Sequence, residues 1–235
     1  MIRVLALTCV LMASAASAPG PVTGSVVLVG TDGHALKTAD DSGVVVSLEP
    51  LGGAPPPAAA SEAVLRQKNT MFAPHVLAVQ VGTAVDFPNM DPIFHNVFSN
   101  YDGQVFDVRL YAPETSRRVV FRRPGMARVF CNIHESMSAV VAVLPTPYFA
   151  VTRADGRFSI DAPPGQYRLR VWHERSEPDA MTRLERLVTV TDAGAAIPQT
   201  TLPVGPDVVV PHLNKYGQKY PERPPDHIFY PGARR

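Results

Sequence analysis

Short runs in which apolar and polar residues alternate, broken by turn-forming residues about every ten positions, dominate the chain. Val26, Leu28 and Gly30 alternate with Ser25, Val27 and Val29 before a turn at Thr31-Asp32-Gly33, and residues 43–48 (GVVVSL) form a second β-branched run. Residues 51–61 (LGGAPPPAAAS) hold too much Pro and Gly for a helix or a strand interior and read as a linker or long loop. Strands are expected again at 76–81, 84–87, 96–98, 105–110, 118–121, 127–130 and 139–144. After Pro145-Thr146-Pro147 come a hairpin around Ala154-Asp155-Gly156 and a strand over 167–172. On that strand Tyr167, Leu169 and Val171 share one face and Arg168, Arg170 and Trp172 the other. Residues 187–191 and 200–202 complete this block, and no helical heptad is evident. The pattern predicts an all-β protein.

Composition narrows the picture. The 235 residues exceed one average domain and can support two modest cores. Residues 1–18 read as an export signal: Arg3, then an apolar stretch over 4–12, then small residues up to Ala18. That apolar run is about half of the roughly 20 residues needed to span a bilayer. A formal charge of +1 gives no global basic field, so nucleic acid is not expected as a partner. No later apolar run is long enough for a membrane span. The chain is expected in the periplasm.

Of the two cysteines, Cys9 lies inside the signal and is discarded with it, which leaves Cys131 as the one thiol of the mature chain. It opens the string Cys131-Asn132-Ile133-His134-Glu135-Ser136-Met137, and a second histidine stands upstream in Phe94-His95-Asn96-Val97-Phe98. One Cys, two His and one Met form the ligand set of a blue-copper electron-transfer site, in which a thiolate and two imidazoles bind trigonally and a thioether tunes the potential. Competing readings fit less well. Haem attachment needs a second cysteine before the histidine, structural zinc takes four Cys or His ligands, and a Cys131–His134 nucleophile lacks an identifiable orienting partner. His75 reads as a half-buried strand-edge residue. His34, His173, His212 and His227 lack companions at ligand spacing and are expected on the surface, and Trp172 reads as a packing residue of the second block. Arg117, Arg118, Arg122 and Arg123 read as a solvated strand edge.

The string Cys-x-x-His-x-x-Met after an aromatic strand, with His-Asn-Val-Phe upstream, resembles the blue-copper proteins of the cupredoxin family, amicyanin and plastocyanin among them. The longer set Phe87-Pro88-Asn89-Met90-Asp91, His95-Asn96-Val97-Phe98 and Phe130-Cys131-Asn132-Ile133-His134 is similar to bacterial proteins labelled methylamine utilisation proteins. The resemblance implies a Greek-key sandwich holding one type 1 copper. Within it, His95, Cys131 and His134 would be equatorial ligands, Met137 axial, and Asn96 a brace for the ligand loop. Electrons would leave through the exposed edge of His134. Amicyanin-type relatives carry proline in this loop, whereas here it holds Asn132, Ile133, Glu135 and Ser136, with a charge at Glu135 beside the exit histidine. The flanking strings Asp155-Gly156-Arg157-Phe158 and Pro164-Gly165-Gln166-Tyr167 resemble the transthyretin-like sandwich found beside carboxypeptidases, as do the strands at 26–29 and 44–48.

The expected organisation is a signal over 1–18, N-terminal strands and Pro/Gly-rich linker over 19–60 that belong to the second sandwich, a copper domain over 61–146 inserted within it, a transthyretin-like β-domain over 147–205, and an extended Pro-rich arm over 206–235. The expected function is single-electron transport with a haem or quinoprotein partner, without enzymatic activity. Two alternatives use the same residues. One is copper delivery without electron traffic, and the other is a carbohydrate- or protein-binding β module.

Overall fold

The computed structural model describes residues 19–37, 40–53, 62–100, 104–207 and 212–220. The signal at 1–18, His227 and most of the linker lie outside the described residues. The all-β class expected from the sequence is what the structure has, with one six-residue helix, α1 (Pro178–Arg183), among the described residues.

The strands gather round two hydrophobic cores. One is enclosed by a five-stranded sheet and a three-stranded sheet. The larger runs in the order β6 (Val76–Gln80), β12 (Ser138–Leu144), β11 (Gly125–Phe130), β8 (His95–Ser99), β9 (Phe106–Tyr111). The smaller runs β10 (Ser116–Val120), β7 (Ala84–Pro88), β3 (Glu62–Val64). Between them Leu65, Val85, Phe87, Val97, Phe121, Val129 and Val141 are fully buried. A hairpin of β4 (Arg66–Lys68) and β5 (Met71–Ala73) sits at one end. Its turn residues Asn69 and Thr70 have φ of 54° and 55°, the left-handed pair that a tight type I′ hairpin turn demands.

The second core is formed by chain segments from both ends. β1 (Gly20–Gly30) pairs with β14 (Arg157–Ala162), β17 (Ala195–Ala196) and β18 (Thr200–Val204). β2 (Val45–Pro50) lies between β13 (Phe149–Val151) and β15 (Gly165–Trp172), with β16 (Arg186–Val190) at the edge. Alternation on β14, where Phe158, Ile160 and Ala162 are buried and their neighbours exposed, aims one face at Val22, Val26, Leu48 and Leu169.

The two sandwiches meet at β12. Ala139, Val141 and Val143 point into the first core, while Ala142 and Leu144, on the opposite face, pack with Val45, Val76 and Trp172. A strand buried on both faces reads as a continuous apolar run, which explains the sequence Ala139-Val140-Val141-Ala142-Val143-Leu144.

Three expectations change. His173 is buried, at 6% exposure, because it lies between β15 and α1, where its backbone N–H reaches Met181. His212 is half-buried, its ring stacked on Phe130. The described part of the tail, 212–220, is not an extended surface arm. It turns at Asn214–Gly217 and is hydrogen-bonded to the loop after β11, as detailed below.

Candidate metal centre

β11 and β12 are antiparallel neighbours, paired as far as Phe130 and Ser138, so residues 131–137 close a hairpin at the end of the sheet. Two backbone bonds shape this loop: Cys131 N–H to Met137 O and Met137 N–H to His134 O, both 3.1 Å. They fold it back so that Cys131, His134 and Met137 share one tight turn. β8 is the other neighbour of β11, pairing at Phe98 with Phe130, and His95 at its start therefore lies beside Cys131. The structure thus brings together residues from two separate segments. Cys131, His95 and Met137 are each 0% exposed, and His134 is half-buried.

Cys131 Sγ lies 3.9 Å from His95 Nδ1 and 3.6 Å from His134 Nδ1. The three donor atoms all fall within 4.8 Å of one another. A nitrogen bound at about 2.0 Å and a sulfur at about 2.3 Å, lengths typical of zinc and taken for a first-row ion of similar size, lie roughly 3.7 Å apart when 120° separates them. The two observed sulfur–nitrogen distances bracket that separation, and the two nitrogens, within 4.8 Å of each other, would close toward about 3.5 Å around a trigonal ion of this kind. The Met137 side chain is buried in the same core as Cys131, on the same loop.

The surroundings act differently on the candidate ligands. Burial pushes the Cys131 thiol up, toward the protonated form, and the backbone N–H groups of Ile133, Asn96 and His134 offset this only in part by bonding toward the sulfur. Burial, with the neighbouring His95, holds His134 below the usual histidine range and hence neutral, the form that ligates. His95 Nε2 is 2.8 Å from Asp91 Oδ2, which leaves its Nδ1 for the cluster. The Asp91 carboxylate also accepts the N–H groups of Asn69 at 2.6 Å and Thr70 at 2.9 Å, tying the β4–β5 turn to the histidine. Burial pushes this carboxyl up, but those amides and the imidazole outweigh it and keep it below the usual carboxylate range. A ligand-type imidazole oriented through its second nitrogen by a carboxylate is a common feature of metal sites. Asn96, expected as a brace, accepts from Asn132 N–H at 3.3 Å and donates to Asp107 at 2.7 Å.

A 79-residue stretch of the chain is 37% identical to methylamine utilization protein MauL of Methylorubrum extorquens, a match covering 33% of this chain and 69% of that protein. The chain belongs to the MauL family. No protein-family model matches it. Solved structures with local likeness to this MauL-family chain include the purple cupredoxin of Nitrosopumilus maritimus, at 23% identity and TM-score 0.32 over 36% of this chain and 99% of that one. Amicyanin of Paracoccus versutus aligns at 16% identity and TM-score 0.33, over 42% and 98% of the two chains. The copper-containing nitrite reductase of Thermus scotoductus aligns at 22% identity and TM-score 0.35, over 41% of this chain and a span of only 25% of the enzyme.

Sequence reasoning missed several residues at the MauL-family site. Asp91 stood in a quoted string without a role, although its place four residues before His95 was a usable signal. Asp107, Lys215 and Tyr220 carried no signal, since each reaches the loop only through the tertiary fold. His75 lies away from the cluster and is more exposed than expected. Its ring faces the Ser138 carbonyl at 3.2 Å and Glu174 at 2.6 Å.

Proposed function

We propose that this MauL-family chain is a periplasmic type 1 copper protein that carries single electrons and is not an enzyme in its own right. One observation carries the reading: two imidazole Nδ1 atoms stand 3.9 and 3.6 Å from a buried thiol on a rigid sheet end. Copper, when bound there, supplies a cupric–cuprous couple that imidazole and thiolate ligands together tolerate.

The chain's own residues do the rest. Asp91 fixes the His95 ring, and the amides of Ile133, Asn96 and His134 stabilise a thiolate on Cys131 once its proton has left. Met137, buried in the same core, would offer a thioether to the ion, and Asn96 ties β8 to the loop at Asn132. Donors imposed by β8 and by the β11–β12 hairpin shift little between oxidation states, and that small rearrangement is what fast electron exchange requires. The half-buried His134 is the outlet to a haem or quinoprotein partner.

Export rests on the signal at 1–18. No helix among the described residues is long and apolar enough to cross a membrane. The relative's name links that protein to methylamine use, and we extend a role in amine oxidation to this chain's electron traffic.

Voltammetry of the copper-loaded chain tests the proposal. A reversible one-electron wave, with electron exchange to a small haem protein, is the expected result. Metal passed to a copper acceptor without any redox cycling favours delivery and overturns electron transport.

A further inference from the structure

The segment from His212 to Tyr220 touches three successive residues where β11 passes into the ligand loop. The His212 ring stacks on Phe130 with centroids 4.2 Å apart. Tyr220 Oη donates to the Cys131 carbonyl at 2.6 Å. The Lys215 N–H donates to Asn132 Oδ1 at 2.9 Å. Within the segment, His212 and Tyr220 meet edge to face at 5.2 Å, so the two aromatic contacts support each other.

These bonds join others already described. Lys215 Nζ donates to Asp107 Oδ2 at 2.7 Å, and Asp107 accepts from Asn96 through its other oxygen. Asn96 accepts from Asn132 N–H, and Asn132 accepts from Lys215 N–H. Asn96, Asp107, Lys215 and Asn132 therefore form a closed hydrogen-bonded ring that links β8, β9, the loop and the tail. Without the tail this ring is open, and the Cys131 carbonyl loses its phenol partner. None of these contacts is made to His134.

We propose that residues 212–220 are a positioning strap for the metal-binding loop. The strap fixes the peptide on either side of Cys131, so that its sulfur stays aligned with both Nδ1 atoms whether or not a metal is bound. The loop has few backbone bonds of its own. Exchanging water for a phenol, an amide and an ammonium limits the positions its backbone can sample. Because the strap contacts the Phe130–Asn132 side, none of its hydrogen bonds or ring contacts falls on His134. The proposal rests on the copper reading for its purpose, while its geometry stands apart from it.

The test uses the full chain, first without metal. Cys131 is fully buried, so a thiol reagent reaches it only when the loop opens. Tyr220→Phe removes one hydroxyl and keeps the ring. It should speed Cys131 labelling, and amide exchange across 131–137, by about tenfold, the factor for one hydrogen bond. Lys215→Ala should act likewise and Lys215→Arg should restore the slow rate. In the copper-loaded chain both loosening variants should alter the copper(II) paramagnetic spectrum and speed metal loss to a chelator.

Unchanged labelling and spectra in Tyr220→Phe and Lys215→Ala overturn the strap. So does exchange that rises equally in β1 and β15, since that is loss of overall stability. A wild-type chain that binds no copper would sink the electron-carrier reading, yet the metal-free labelling and exchange would still decide the strap.

Discussion

In the sandwich formed by β1, β2 and β13–β18, buried hydroxyls close on nearby backbone. Thr152 donates to the Asp41 carbonyl and accepts from Val44 N–H, Thr146 donates to Leu48, and Ser176 donates to Pro203. In the sandwich of β3–β12, buried polar side chains reach other side chains as well as backbone. Asp91 holds His95, Asn96 holds Asp107, Gln67 donates to Tyr111, and Tyr111 in turn donates to Phe87 O. Both interiors are otherwise aliphatic and aromatic. Local satisfaction stabilises a fold. Side chains that hold one another across strands are the arrangement expected where groups must be positioned for chemistry, although Gln67 Oε1 lies buried there without a hydrogen-bond partner. The difference marks which sandwich carries the site.

The contrast can be broken first in the structural sandwich. Gly156 has φ of +70°, and a Cβ there would lie 2.0 Å from Val26 O. Gly156→Ala should destabilise the chain by more than about 3 kcal/mol, read by urea unfolding, while any protein that folds keeps its metal-site spectrum.

His173 gives the next effect. Burial, with Arg175 nearby, lowers its pKa to about 4 from 6.5. A depressed value means that its stabilising contribution is complete above 6.5 and is lost as pH falls toward 4, over a range worth a few kcal/mol. His173→Gln should flatten the stability profile across that window.

On the metal side, Asp91→Asn should weaken metal binding by about 10- to 100-fold, the usual effect of losing a partner behind a ligand histidine. Chelator competition measures it, and urea unfolding should move less than in Gly156→Ala.

The smallest effect belongs to His75–Glu174, between the sandwiches. Its hydrogen bond to Glu174 raises His75 from 6.5, and the same bond lowers Glu174 from 4.5. The His75 part is full below 6.5 and is lost as pH rises through the raised value. The Glu174 part is full above 4.5 and is lost as pH falls through the lowered one. The pair therefore contributes fully between about 4.5 and 6.5. Because the His75 side chain is 49% exposed, His75→Ala should cost less than about 1 kcal/mol there.

What was legible in the sequence follows from range. Cys131, His134 and Met137 lie on one loop, so their spacing was visible. His95 was visible because its strand carried a distinctive string. Longer strands were visible by alternation, as on β14 and β15, or by a continuous β-branched run, as on β12, whereas β3, β4 and β5 have three residues each, too few for a period, and α1 is shorter than a heptad. The strap was hidden for a different reason. Lys215 and Tyr220 are ordinary surface residue types in a Pro-rich stretch, and only the folded chain sets them against Cys131 and Asp107. The burial of His173 likewise comes from packing between β15 and α1.

The most direct measurement is the visible and paramagnetic-resonance spectrum of the copper(II)-loaded chain beside that of Cys131→Ser. An intense blue thiolate-to-copper charge-transfer band in the first, absent from the second, is the predicted result. A colourless copper-loaded protein, or a colour that survives Cys131→Ser, would contradict it.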